Sequence, residues 1–206
     1  MREEKISDFL TRLADRIPAP GGGATAALHA AQAAALLGMV ARYSTGAKYA
    51  EHKLTIERII AETDELRSVA LTLAEDDAAA FTSVSDAYRL PKDTDMARAA
   101  RSAAIATALV GAATPPSKVI TVAETIVELA EELLPISNRN IITDVAAATE
   151  AARAAATTAR LNIEINLGGI NDEQAHTELV AEADKVDHIT ARAEQVTAAV
   201  RKEIST

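Results

Sequence analysis

From Ile56 to Ala87 the chain repeats apolar or small residues at alternating steps of three and four: Ile56, Ile59, Thr63, Leu66, Ala70, Leu73, Asp77, Ala80, Val84 and Ala87. This is the spacing of one buried stripe on a long α-helix. Every member is apolar or small except Thr63 and Asp77. A carboxylate facing a helical core is costly unless it is paired, hydrogen-bonded or protonated. Asp77 is therefore the position where this chain gives up stability for something else. A structural ion pair with Arg98, Arg101 or Arg153 is one explanation, and a working acid or base is the other. In the run Glu75-Asp76-Asp77 the first two carboxylates are expected in solvent, with Asp77 alone facing inward.

The rest of the composition agrees with helices. Nearly a quarter of the 206 residues are alanine, the strongest helix former, and only 2 % are aromatic. Strand-type clusters of β-branched and aromatic residues are scarce. The expectation is a single domain over 1–206 with an all-α fold: an antiparallel bundle of about six to seven helices joined by short connections. Helices are predicted at about 6–16, 24–43, 49–89, 95–113, 117–134, 139–167 and from 172 nearly to the end. Pro115-Pro116 is read as the break between the fourth and fifth. In the second helix Gly22, Ala26, Ala30, Ala34 and Gly38 form a ridge of small residues that lets a neighbouring backbone come close. An alanine-built core buries little area per residue, so a homo-oligomer is expected.

Composition also excludes functions. The formal charge is −9, which argues against nucleic acid and anionic membrane surfaces as partners. There is no cysteine, so disulfides, thiolate metal sites and cysteine nucleophiles are out. The four histidines show no ligand spacing, no metal is expected, and His29 is read as a hydrogen-bonded core residue. The stretch 24–41 is apolar over a membrane-spanning length, but it is mostly alanine with His29 and Gln32, and reads as a buried soluble helix. No signal-peptide run follows Met1, so the cytoplasm is the expected compartment.

Two further features bear on chemistry. Pro20-Gly21-Gly22-Gly23-Ala24-Thr25 precedes a helix, where free backbone N–H groups and glycine's tolerance of close approach suit a ligand. It is neither a phosphate-binding P-loop nor a dinucleotide fingerprint. Asp144 stands in the first turn of its helix, where an acid is ordinarily a dipole partner. Asn162 shares its helix face but is roughly 27 Å away at about 1.5 Å per residue, so the two cannot share a site within one helix.

Several ordered stretches resemble the cyclodeaminase/cyclohydrolase family of folate enzymes. They are 20–27 (Pro-Gly-Gly-Gly-Ala-Thr-Ala-Ala), Thr45-Gly46-Ala47-Lys48-Tyr49, Asp77-Ala78-Ala79-Ala80-Phe81, Leu90-Pro91-Lys92, Pro116, Thr143-Asp144, and 162–167 (Asn-Ile-Glu-Ile-Asn-Leu). Where the family has Gly-Asn and Ser-Asp, this chain has Ser137-Asn138 and Thr143-Asp144, and the basic cluster after Gly46 is thinned to Lys48.

The resemblance implies a helical bundle that dimerises, with a tetrahydrofolate derivative as substrate and no tightly bound cofactor. Asp77 and Asp144 are then the expected catalytic residues, Asp77 as general acid/base and Asp144 either as its partner carboxylate or as a pterin contact. Gly21, Gly22, Gly23 and Thr25 would form the substrate-facing turn. Lys48 and Lys92 would meet the glutamate tail, and Asn138 would bind substrate. With no transferase domain in these residues, hydrolysis of 5,10-methenyltetrahydrofolate to 10-formyltetrahydrofolate is the first expectation. Formiminotetrahydrofolate cyclodeamination with ammonia release is the alternative. A non-catalytic helical oligomer keeping only the scaffold is the reading from outside enzymology.

Overall fold

The computed structural model describes residues 1–205. It contains six α-helices: α1 (Ile6–Leu13), α2 (Gly22–Tyr43), α3 (Lys53–Arg89), α4 (Asp95–Leu133), α5 (Ile142–Leu167) and α6 (Glu173–Ile204). Short 3-10 turns lead into α3 and join α4 to α5. No strand is present among the described residues.

α2 is the centre of the bundle. It lies between α3 and α5, with α4 behind it and α6 packed against α4 and α5. Gly23 meets Asp77 and Gly38 meets Thr63, so α2 and α3 run antiparallel. Gly22 faces Asn162 while Asn138 bonds the carbonyl of Tyr43, so α2 and α5 are also antiparallel. α4 and α6 run parallel, pinned by Arg192 to Glu128 and Glu131 and by Thr121 to Glu182.

The small-residue ridge of α2 explains this close packing. Ala26, Ala30 and Ala34 are fully buried, and a Cβ on Gly38 would stand 2.7 Å from the Thr63 hydroxyl. Thr63 itself is buried, and its hydroxyl donates to the carbonyl of Ile59 at 2.8 Å, which satisfies it within its own helix. α2 is long and apolar enough to cross a membrane, but all its alanines except the exposed Ala35, together with Leu37, are buried among the other helices. Its outer side is only partly covered by the chain.

The prolines correct the predicted break. Pro115 and Pro116 lie inside α4, which runs unbroken for 39 residues. Each proline removes a backbone N–H and costs a helix interior about 3 kcal/mol. Both rings are buried, as are Ala113, Val119 and Ile120 around them. Packing along the whole length of α4 outweighs the local penalty. The N-terminus expected near residue 172 is present: the Asp172 carboxylate accepts from the N–H of Ala175 at 3.0 Å and caps α6. His29 differs from its expected role, because its Nδ1 is buried without a hydrogen-bond partner among the described residues.

Candidate active site

At one end of α2 the chain turns through a cis Ala19–Pro20 peptide into Gly21, whose extended backbone starts the helix without a side-chain cap. Asp77 supplies what is missing. Its carboxyl arrives from α3 directly over Gly23, so closely that a Cβ there would fall 2.0 Å from Oδ1 and 2.4 Å from Cγ. Only glycine admits this approach. The N–H of Ala24 donates to the same carboxyl. Burial pushes the Asp77 pKa above the ordinary carboxylate range, and the Ala24 hydrogen bond opposes that only in part.

Asp77 makes no ion pair among the described residues. The three arginines that offered a structural explanation are engaged elsewhere: Arg98 with Asp95, Arg101 with the carbonyl of Tyr88, and Arg153 with Glu150. Asp76 is exposed, as expected, whereas Glu75 holds the N-terminal ammonium of Met1 at 3.2 Å.

The carboxyl opens into a cleft of about 210 Å³. Its walls are the 18–23 turn, Phe81 and Val84 of α3, Ala112 of α4, and Asn162, Ile165 and Asn166 of α5. Among the described residues no lysine, arginine or histidine lines it. A larger groove of about 770 Å³ runs between α5 and α6, but its Arg153 and Arg160 are paired with Glu150 and Asp187. That groove offers no desolvated acid, so the chemistry points to the Asp77 cleft. Among the described residues no group of three or more His, Asp or Glu is placed to hold a metal ion.

Residues 5–185 match the family model described as formiminotransferase-cyclodeaminase. The chain belongs to that family. It is 36 % identical to the methenyltetrahydrofolate cyclohydrolase of Methylorubrum extorquens, covering 88 % of each chain. It is 31 % identical to mouse formimidoyltransferase-cyclodeaminase over 83 % of this chain, and spans 32 % of that longer protein. Its fold matches the crystal structure of formiminotetrahydrofolate cyclodeaminase from Thermotoga maritima with a TM-score of 0.88, 27 % identity and 98 % coverage of both chains.

In this formiminotransferase-cyclodeaminase family member the residues singled out in the sequence fall into separate groups. Asp77, Gly21, Gly22 and Gly23 meet in the cleft. Thr25 lies behind the turn, where its hydroxyl donates to the carbonyl of Gly21 at 2.9 Å, so it shapes the turn instead of facing the cavity. Lys48, Asn138 and Asp144 gather at the opposite end of α2, roughly 30 Å away at about 1.5 Å per residue. Lys48 follows Gly46, whose φ of 98° needs glycine, and its ammonium sits 5.3 Å from the Tyr49 ring centre.

Asn138 is committed to structure: its N–H donates to Ser44 Oγ at 2.8 Å, its amide donates to the carbonyl of Tyr43, and its Oδ1 accepts from Asn140 N–H. Asp144 stands in the first turn of α5, the position of a dipole partner. Asp77 and Asp144 are therefore not a catalytic pair within one chain. Lys92 lies exposed in the α3–α4 connection.

Asn162 and Asn166, which the sequence assigns to packing or to a second subunit's site, line the Asp77 cleft of the same chain. The available signal was their i, i+4 spacing, which puts two amides on one face of a helix otherwise rich in alanine and leucine-type residues.

Proposed function

We propose that the protein hydrolyses 5,10-methenyltetrahydrofolate to 10-formyltetrahydrofolate. The observation that carries this reading is the Asp77 carboxyl, half-buried over Gly23, facing a cleft with no basic side chain among the described residues. The methenyl carbon of the substrate is an amidinium, electrophilic and positively charged. Asp77 takes a proton from water as the water oxygen bonds to that carbon. It returns the proton to N5 as the C–N5 bond opens. The remaining hydroxyl proton leaves to solvent as the C=O of the formyl group forms on N10. One carboxyl of raised pKa serves both steps, because it is basic enough to accept the proton and acidic enough to return it.

Purified protein mixed with 5,10-methenyltetrahydrofolate near neutral pH should remove its near-ultraviolet absorbance faster than the spontaneous reaction. Likeness to the Thermotoga maritima fold supports a second reading, cyclodeamination, in which N10 closes on the formimino carbon and the same carboxyl protonates the departing ammonia. Ammonia release from 5-formiminotetrahydrofolate would assign that activity. Neither reaction, together with no calorimetric folate binding, would leave a non-catalytic scaffold.

The working form is proposed to be a homodimer. A 210 Å³ cleft is smaller than the range of about 300–1,000 Å³ usual for a drug-sized ligand, so it suits only the ring end of a folate. The partly covered side of α2 carries Thr25, His29, Gln32, Leu36, Met39 and Tyr43 at steps of four and three, the spacing of a helical seam, with Gln32 and Tyr43 exposed and the others half-buried. A two-fold axis across the middle of α2 lays two copies antiparallel on this seam. The Asp77 cleft of one copy then adjoins Lys48 of the other, which supplies the cation for the glutamate tail.

Asp77→Asn and Lys48→Ala proteins, unfolded and refolded together, should recover about a quarter of wild-type turnover, since half the dimers would be mixed and each would hold one intact site. A mixture no more active than its parents would overturn the shared site.

A further inference from the structure

The two asparagines of α5 are oriented by bonds that settle which atom faces the cleft. Asn162 Nδ2 donates to the carbonyl of Thr158 at 2.8 Å, and Asn166 Nδ2 donates to the carbonyl of Asn162 at 2.7 Å. A carbonyl oxygen cannot donate, so the amide nitrogen of each side chain must be the atom on the helix backbone. Each Oδ1 is thereby left without a partner among the described residues, and both side chains line the Asp77 cleft. Gly22 faces Asn162 across the mouth: a Cβ there would lie 3.7 Å from Nδ2 and 3.9 Å from Oδ1, an ordinary contact.

The side-chain chemistry of the cleft is therefore one-sided. Its polar side chains are two amides presenting oxygen and the Asp77 carboxyl, and its other side chains are apolar. The positive end of the α2 dipole also points here, but the Ala24 N–H is already taken by Asp77. A ligand part that carries N–H donors and positive charge fits this lining, and a carboxylate tail does not.

We propose that Asn162 and Asn166 are substrate-binding residues that recognise the cationic ring of the folate through their amide oxygens and discriminate it from the neutral formyl product. This rests on the folate reading above and deepens it. Hydrolysis removes the positive charge, so the same oxygens that hold the substrate hold the product less well, and release follows from the chemistry.

The test compares proteins with and without the Asn162→Leu/Asn166→Leu double substitution. Leucine is a better helix former than asparagine, so loss of the two local bonds should leave thermal stability nearly unchanged. Calorimetry is run in an Asp77→Asn background, which does not interconvert the two folates. The 5,10-methenyl form is kept in mildly acidic buffer and 10-formyltetrahydrofolate near neutral pH, where each persists. This protein should bind the cationic form more tightly than the neutral one. The double variant should lose about ten- to hundredfold in affinity for the cation, the size expected when hydrogen bonds to a charged group are removed. Its affinity for the formyl compound should change little. Asn166→Asp keeps an oxygen at the cleft and should retain the preference for the cation.

Equal losses for both folates, or no loss for either, would overturn the assignment. The two readings fail separately. Absence of turnover by wild type counts against hydrolysis, whereas the binding preference and its loss on adding the two leucines are read in the Asp77→Asn background, without turnover.

Discussion

Gly23→Ala should lower kcat by about a hundredfold while the helical circular dichroism remains that of the wild type. The added Cβ would stand 2.0 Å from Asp77 Oδ1 and 2.6 Å from Oδ2, distances no pair of such atoms tolerates. The atoms that must give way are the end of a side chain, not backbone, so Asp77 swings aside and the bundle survives. Displacing a reacting group by about 1 Å is enough to cost two orders of magnitude. Gly23 lies in the first turn of α2, where the gain of alanine over glycine is below the roughly 1 kcal/mol of a helix interior and offsets the weakened bond from Ala24 in part. The expected signature is thus an enzyme that is folded and slow. A Gly23→Ala protein with wild-type kcat would show that the placement of Asp77 over this glycine has no part in turnover.

Asp77→Asn should be slower still, by about 10²–10⁴-fold, because the amide neither takes a proton from water nor returns one to N5. Full activity in this variant would end the acid/base role. The same substitution carries a stability prediction whose sign follows from burial. The folded-state pKa of Asp77 is raised, so the folded protein holds this proton more tightly than the unfolded chain does. The resulting stability is fully present below the unfolded pKa of about 3.9 and is lost as pH rises through the folded value.

The amide introduced by Asp77→Asn would not titrate and could still accept from the Ala24 N–H through its oxygen. The stability of this variant relative to wild type should therefore increase as pH rises from the ordinary carboxylate range, as read from urea midpoints at a series of pH values. A difference that stays flat, or runs the other way, would mean that Asp77 is not desolvated in the folded protein.

How much of this was legible in the sequence depends on the range of each interaction. The α3 seam was correct in register because helical periodicity is local: Ile56, Ile59, Thr63, Ala70 and Leu73 are buried, and Asp77 lies on the same stripe. The α2 ridge was readable for the same reason, and Asp172 announced the start of α6 through its own side chain. Pro115-Pro116 was misjudged because the local rule is real but smaller than the packing of a 39-residue helix against its neighbours α2, α3, α5 and α6. The ordered motifs marked residues that matter without stating which of them touch.

By itself, then, the sequence determined the helical class, the buried faces of α2 and α3, and the one carboxylate that local chemistry does not excuse. Only the tertiary structure decided what that carboxylate meets. Gly23, Asp77 and Asn162 are far apart along the chain, and they converge because α2 lies antiparallel to both α3 and α5. The same antiparallel arrangement carries Lys48, Asn138 and Asp144 to the far end of α2. Periodicity specifies the direction in which a side chain leaves its helix. The distance between two such side chains is set by how the ridges of one helix settle into the grooves of the next, and no single helix contains that information.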